Sequence, residues 1–514
     1  MTLPFADSAQ STLGIEWELA LVDAVSGELR SEAPDLLRAL HVAEGLADDD
    51  VNPHMTSELL QNTVELVTGV HERVDAATAD LGRIAARVAD AAAARGISLF
   101  CQGTHPFADA IAQPSTPSER YDRMLDLTQY WGRQLLIFGV HVHVGLDDVS
   151  KAMPVVNGLV NRVPHLLALS ASSPFWAGTD TGYQSQRTLL FQQLPTAGLP
   201  FQFQEWEDFE RCVAQMEQVG MIADVTECRW DVRAVPRLGT VEMRACDGLA
   251  TLEEIAAVTA YTQCLVDDLS ASLERGETVE VLPPWHVQEN KWRAARYGMD
   301  ATVIVDARGT QVPLAEHLPA EIERLTPVAE RLGCAAELAG VQAMIDDGGA
   351  ARQRRVEAQA LAGPPAAGED ADDAVAPLRA VVLDAAARRF GFDLRLTHYD
   401  WSCETFKQTG RMMPEDGLDR LRDSDSIFLG AVGWPGVPDH VSLWGLLIPI
   451  RRVFDQYVSL RPCRLMPGAR TPLAKVRSML CCTCIWLKAP SIISIGSSMV
   501  QTFTSSVASC LRVV

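Results

Sequence analysis

Gly14-Ile15-Glu16-Trp17-Glu18-Leu19 places two carboxylates one residue apart inside an otherwise apolar run. In a β-strand alternate side chains share a face, so Glu16 and Glu18 project together while Ile15, Trp17, Leu19 and Leu21 pack inward. Two carboxylates held side by side repel unless a proton or a cation neutralises them. Taken alone, the segment fits an exposed strand face as well as it fits cation ligation.

Three further segments repeat the design. Gly139-Val140-His141-Val142-His143-Val144-Gly145 sends two imidazoles from one face and three valines from the other. In Gly239 to Asp247, Glu242 and Arg244 share a face opposite Val241 and Met243. Glu65 stands near the end of an apolar run from Leu59 to Val67. These segments predict one sheet with a polar face, where oxygen donors outnumber nitrogens. Such a donor set favours magnesium or manganese over zinc.

Other readings stay beside this one. A His-x-His strand also occurs in zinc hydrolases, although no matching histidine and aspartate motifs accompany it here. Glu58 is seven residues before Glu65, so a straight strand would put the two on opposite faces and make Glu58 a structural or rim residue. Arg293 and Arg296, three apart on a predicted helix, fit a solvated face at least as well as a nucleotide contact. His105 reads as a loop histidine.

The elements that must position these groups are legible from periodicity. His71 to Arg95 has Val74, Leu81, Ile84 and Val88 near helical spacing, with Gly96 as a stop. Ile97 to Cys101 reads as a strand. Leu252 to Leu273 reads as a long helix whose first turn carries Glu253 and Glu254, complementing the helix dipole. At 514 residues, about three domains, or one large α+β domain with appendages, are expected. A hydrophobic content of 47% allows a substantial core. The net charge of −23 argues against a nucleic-acid surface. Neither a signal-peptide pattern nor an apolar run long enough to span a membrane is present, which predicts a cytoplasmic protein. Eight cysteines scattered singly from Cys101 to Cys463 fit buried thiols in a reducing compartment.

Residues 11 to 360 resemble the carboxylate-amine ligases related to glutamate–cysteine ligase, a branch of the glutamine-synthetase-like fold. The resemblance rests on Gly14 to Glu18, Ser57 to Thr68, Gly139 to Gly145, Tyr183-Gln184-Ser185-Gln186-Arg187, Trp230-Asp231-Val232-Arg233, Gly239 to Asp247 and Glu289 to Gly298. It implies an α+β fold with a curved antiparallel sheet backed by helices, and ATP and metal ions on the open face. It also implies that ATP phosphorylates a carboxylate and that an amine displaces phosphate from the acyl phosphate, a reaction needing positioning and charge neutralisation. By resemblance Glu16, Glu18, Glu65, His141 and Glu242 are metal ligands, for Mg2+ with Mn2+ as an alternative. His141, His143 and Arg233 contact the nucleotide or metal. Arg187 faces the amino-acid substrate, and Arg233 and Arg244 stabilise the transferred phosphoryl group. No general base is evident. The expected reaction joins glutamate to cysteine or another amine. Expected partners are these small molecules and a second copy of the chain in a homodimer, with no nucleic acid and no membrane. Glu242→Gln is expected to abolish turnover with little change in melting temperature.

The chain therefore divides into a ligase-like domain over 1–361, a Gly/Pro/Asp-rich linker over 362–382, and two further pieces. Residues 383–474 resemble a truncated β-decarboxylating dehydrogenase of the tartrate, D-malate or isopropylmalate type. The matching text includes Tyr399 to Cys403, Thr409 to Pro414, Phe428 to Pro435, Leu446 to Arg452 and Leu460 to Pro462, with Arg451 and Arg461 at carboxylate-gripping positions. The glycine-rich first strand and the downstream tyrosine, lysine and metal-binding aspartates of that family are missing, which predicts no dehydrogenase activity. Residues 475–514 contain no Asp or Glu and read as an unrelated, poorly ordered tail.

Overall fold

The computed structural model describes residues 3–46, 52–362, parts of 397–454, and 491–493. The chain divides into two compact units, Met1–Leu378 and Arg379–Val514. The expectations for the linker, for Arg461 and for nearly all of the tail lie outside the described residues.

Within the first unit, seven strands form one sheet: β1 (Leu13–Asp23), β2 (Met55–Ser57), β3 (Thr63–Val67), β4 (Ile97–Phe100), β5 (Gly139–Gly145), β6 (Val232–Val235) and β7 (Thr240–Asp247). Their order is β6-β7-β5-β1-β3-β2, with β4 also paired to β1. Every pairing is antiparallel. The architecture is α+β, as the resemblance implied.

Alternation decides what each face buries. Ile15, Leu19, Leu21, Val140, Val142, Val144, Val241 and Met243 point into one core and are nearly inaccessible to water. Helices α1 (Val74–Ala93) and α4 (Leu252–Glu274) contribute Leu81, Ile84, Val88, Ile255 and Val258 to that core. Each such side chain contributes about 1.5–3 kcal/mol when withdrawn from water. With one face thus committed, a one-residue slip would bury the acids and expose the valines, so the register is strongly specified. Helix α1 begins three residues after the start of the predicted span and ends two before its end, and Gly96 follows with φ +70°, a conformation glycine adopts without steric cost.

The run from Leu59 to Val67 departs from expectation. Its strand begins only at Thr63, because the chain from Glu58 to Asn62 turns between β2 and β3. The turn is fixed by Thr63 N–H donating to Leu60 O and Gln61 N–H donating to Pro114 O, both at 3.0 Å.

The second unit is smaller. Its described part includes helices Cys403–Thr409 and Ile448–Val453 around a small core of Met412, Leu421, Leu446 and Ile450. No helix among the described residues is long and apolar enough to cross a membrane.

Candidate active site

Register brings the predicted residues into rows. Glu16 stands opposite His141, and Glu18 opposite Glu65. Glu242 stands between Arg233 on β6 and His143 on β5. A register shift between Met243 and Cys246 interrupts β7 beside Arg244, yet Arg244 still shares the face of Glu242 and bonds its carboxylate. Every strand-borne acid, histidine and arginine singled out from the sequence therefore opens on one face. That face floors a cleft of about 630 Å³, within the usual range for small-molecule sites.

Glu16 is shared by the two histidines. His141 donates from Nδ1 to Oε2 at 2.9 Å, and His143 from Nε2 to Oε1 at 3.2 Å. Burial would raise the Glu16 pKa, but these two partners hold it well below the usual carboxylate range. Because Nδ1 of His141 is the donor, Nε2 carries the lone pair, and it is buried without a protein partner. This is the carboxylate–histidine arrangement that orients an imidazole toward a metal. Burial, then the Arg244 charge, lowers the His141 pKa to about 4. His143 is more fully committed, with Nδ1 lying 3.1 Å from Thr240 Oγ1.

Glu242 is fully buried and clasped by guanidiniums: Arg233 Nε donates to Oε2 at 2.6 Å, and Arg244 bonds Oε1. Burial opposes its charge, but the two arginines hold its pKa far below the carboxylate norm. Arg233 is anchored further by donating to Thr226 O at 2.9 Å and Cys228 O at 3.1 Å.

Glu18 and Glu65 meet a third acid. Glu58, expected at the rim or in a structural role, joins them, and single oxygens of Glu18, Glu58 and Glu65 lie within 4.8 Å of one another. The straight-strand premise failed at the turn after β2, which swings Glu58 back into the cleft. Desolvation, then the neighbouring Glu58 carboxylate, pushes Glu18 up to about 8. Burial and the other acids raise Glu65 well above normal, and burial also raises Glu58. A divalent cation would replace the protons that otherwise neutralise this triad. Glu16, Glu65 and His141 form a second such group, and Glu16, His143 and Glu242 a third.

Arg187 enters from the helix Gln186–Phe191, whose N-cap Ser185 accepts from Thr188 N–H. Ser173 Oγ accepts from its backbone N–H at 3.0 Å. The guanidinium passes over Gly139 so closely that a Cβ there would collide with it. Nε of Arg187 and Nε of Arg244 are buried without partners. The cleft also gathers Arg120 and Tyr121 from α2 (Glu119–Thr128), together with Arg229. Sequence reasoning missed these three, and no spacing signal marks them.

Residues assigned to bland roles stay outside the cleft lining. Arg293 donates to Glu289 at 2.8 Å, and Arg296 lies over the Tyr183 ring. His105 donates to Gly27 O at 3.0 Å from its loop.

The donor set fits Mg2+ or Mn2+: several carboxylates, one imidazole with a free lone pair, and guanidiniums placed to meet phosphate oxygens. A sheet with ligand-bearing acids on one face and helices on the other matches the ligase framework that the resemblance implied, and the sequence comparisons agree. The model of glutamate–cysteine ligase family 2 matches residues 12–377, and the chain belongs to that family. A Micrococcus luteus protein provisionally named glutamate–cysteine ligase 2 is 99% identical over 388 residues, covering 76% of this chain and 98% of the relative. An Arthrobacter protein provisionally named glutamate–cysteine ligase 2-1 is 54% identical over 386 residues, 75% of this chain and 97% of the relative. The solved glutamate–cysteine ligase of Francisella tularensis in complex with AMP has 14% identity and a TM-score of 0.49, covering 68% of this chain and 86% of that one. The isocitrate/isopropylmalate dehydrogenase model matches residues 367–483.

Proposed function

We propose that the chain is an ATP-dependent ligase joining the γ-carboxylate of glutamate to cysteine, with release of ADP and phosphate. The observation that supports this most is the convergence of Glu16, Glu18, Glu58, Glu65 and Glu242 with Arg187, Arg233 and Arg244 around one cleft. Membership of the family supports it further.

Glu18, Glu58 and Glu65, with His141, are the groups that would hold Mg2+, and of the other expected ligands Glu16 is bonded by the two histidines and Glu242 by Arg233 and Arg244. When bound, the ion supplies charge neutralisation for the phosphates. Glu16 orients His141 and His143. Glu242 fixes Arg233 and Arg244 so that their remaining N–H groups face the position of the transferred phosphoryl group, where negative charge develops. Arg187 holds the substrate carboxylate away from water, fixing the angle at which the amine approaches. The 92-residue fragment 383–474, counted from its boundaries, is read as lacking dehydrogenase activity.

Phosphate release with ATP, Mg2+, glutamate and a panel of amines tests the reading. Release should require glutamate and rise most with cysteine. Release independent of any amino acid would overturn it.

A further inference from the structure

A second cluster of ligand-type side chains lies on the helical side of the fold. Helix α3 (Val163–Ser170) carries His165, and α5 (Leu314–Leu332) carries His317 and Glu321. His317 and Glu321 are four residues apart, so they share one face of α5. One nitrogen of each histidine and one Glu321 oxygen lie within 4.8 Å of one another.

The two Glu321 oxygens are used differently. Arg162 Nε donates to Oε1 at 2.6 Å, and Arg324 Nη2 donates to it at 3.4 Å. Oε2 has no well-aligned hydrogen bond, although Glu321 is only 5% exposed and the His165 imidazole and the Tyr261 hydroxyl both face its carboxylate. It lies 3.3 Å from His165 Nδ1 and 3.8 Å from His317 Nε2. A buried carboxylate oxygen left unpartnered is costly unless something else satisfies it.

The spacing suggests what that is. Zinc binds imidazole nitrogen and carboxylate oxygen at about 2.0–2.2 Å in a tetrahedron, which sets ligand–ligand edges of about 3.3–3.6 Å. The first edge already has this length, and the second exceeds it slightly. His317 is at the solvent side, with 29% of its side chain exposed, and can rotate to close the remaining distances. Arg162 gripping Oε1 is the outer support that ligating carboxylates ordinarily have. Beside the histidines is a cavity of about 150 Å³, ample for a water as fourth ligand. Asp268 and Glu280 line it together with Arg162 and Arg324. With Glu321, three carboxylates thus face two guanidiniums, leaving net negative charge for a dication.

We propose that His165, His317 and Glu321 form a binding site for a zinc-class divalent cation, separate from the oxygen-rich cleft, that clamps α3 to α5. Two imidazoles and one carboxylate select zinc over magnesium, whereas the cleft has the opposite preference. Tyr261 Oη, 2.9 Å from His165 Nδ1, must turn its hydrogen bond away when the nitrogen takes a metal.

Equilibrium dialysis of the full chain against Zn2+, in excess Mg2+, tests the site by difference. Thiolate-bound zinc elsewhere is common to all samples. His317→Ala should take up one zinc fewer per chain, or bind that zinc at least about tenfold more weakly. Equal uptake at equal affinity by parent and variant would overturn the proposal. X-ray absorption of parent and His317→Ala at equal, saturating zinc provides a second readout. The difference between the two spectra should show a nitrogen/oxygen shell with histidine scattering, and a difference without histidine scattering would overturn the proposal.

Discussion

Glu18 and Glu65 face each other in register across β1 and β3, two carboxylates at the base of a cleft with Glu58 beside them. Neither can ionise freely while the others are charged, so the sheet holds acid groups in a state that a divalent cation would relieve.

That relationship has a pH signature. Burial, then the Glu58 carboxylate, pushes Glu18 in the folded chain up to about 8, far above the roughly 4.3 of an unfolded glutamate. Its raised pKa contributes stability that is fully present below the unfolded value and lost as pH rises through about 8. Mg2+ displaces the protons and should rescue the loss. The Mg2+-induced rise in melting temperature should therefore grow from about pH 5 to about pH 8. Scanning fluorimetry with and without Mg2+ measures it, and a rise that is flat or shrinking with pH contradicts the assignment.

Glu58→Gln should weaken Mg2+ binding about tenfold or more and reduce the protons released on binding. Calorimetry in buffers of different ionisation enthalpy reads both quantities. Unchanged affinity would return Glu58 to the structural role its spacing suggested.

Glu242→Gln should now be expected to cost stability as well as turnover. The carboxylate is wholly buried between Arg233 and Arg244, and removing one member of a buried charge cluster costs about 3 kcal/mol or more. Urea unfolding would show it. A variant as stable as the parent would mean that the two guanidiniums find other counter-charges.

The two halves of that revision show what a sequence carries. The strand period of two is short and strict, so Glu16, Glu18, His141, His143, Glu242 and Arg244 could be assigned to one face without coordinates. Helical spacing likewise located Val74–Ala93 and Leu252–Glu274 to within a few residues. Glu58 was misread because a turn breaks the period on which its assignment relied. Arg120, Tyr121 and Arg229 were invisible because only the tertiary path of α2 and of the segment before β6 brings them to the cleft. Arg244 beside Glu242 was legible from the alternation, whereas the grip of Arg233 on Glu242 depends on the register of the β6–β7 hairpin.

Gly139→Ala should act through Arg187. The added methyl would meet the guanidinium and lie 3.1 Å from Cys246 O, displacing the arginine while leaving its charge. A shift of about 1 Å at a positioning group costs about 10²-fold, so kcat/KM for glutamate should fall by that order. Steady-state kinetics decides, and an unaltered kcat/KM removes Arg187 from the substrate site.

A chain ending at Leu378, the boundary of the first compact unit, should retain ligase turnover. The full chain should not reduce NAD+ with D-malate or tartrate. NADH formation would show that the dehydrogenase-like segment is active.

Activation by phosphorylation is read most directly from the fate of the carboxylate oxygen. With ATP, Mg2+, cysteine and glutamate labelled with ¹⁸O in its γ-carboxylate, mass spectrometry of the released phosphate should find one labelled oxygen per turnover, because a carboxylate activated by phosphorylation surrenders its oxygen to phosphate. Unlabelled phosphate accompanying γ-glutamylcysteine would contradict it.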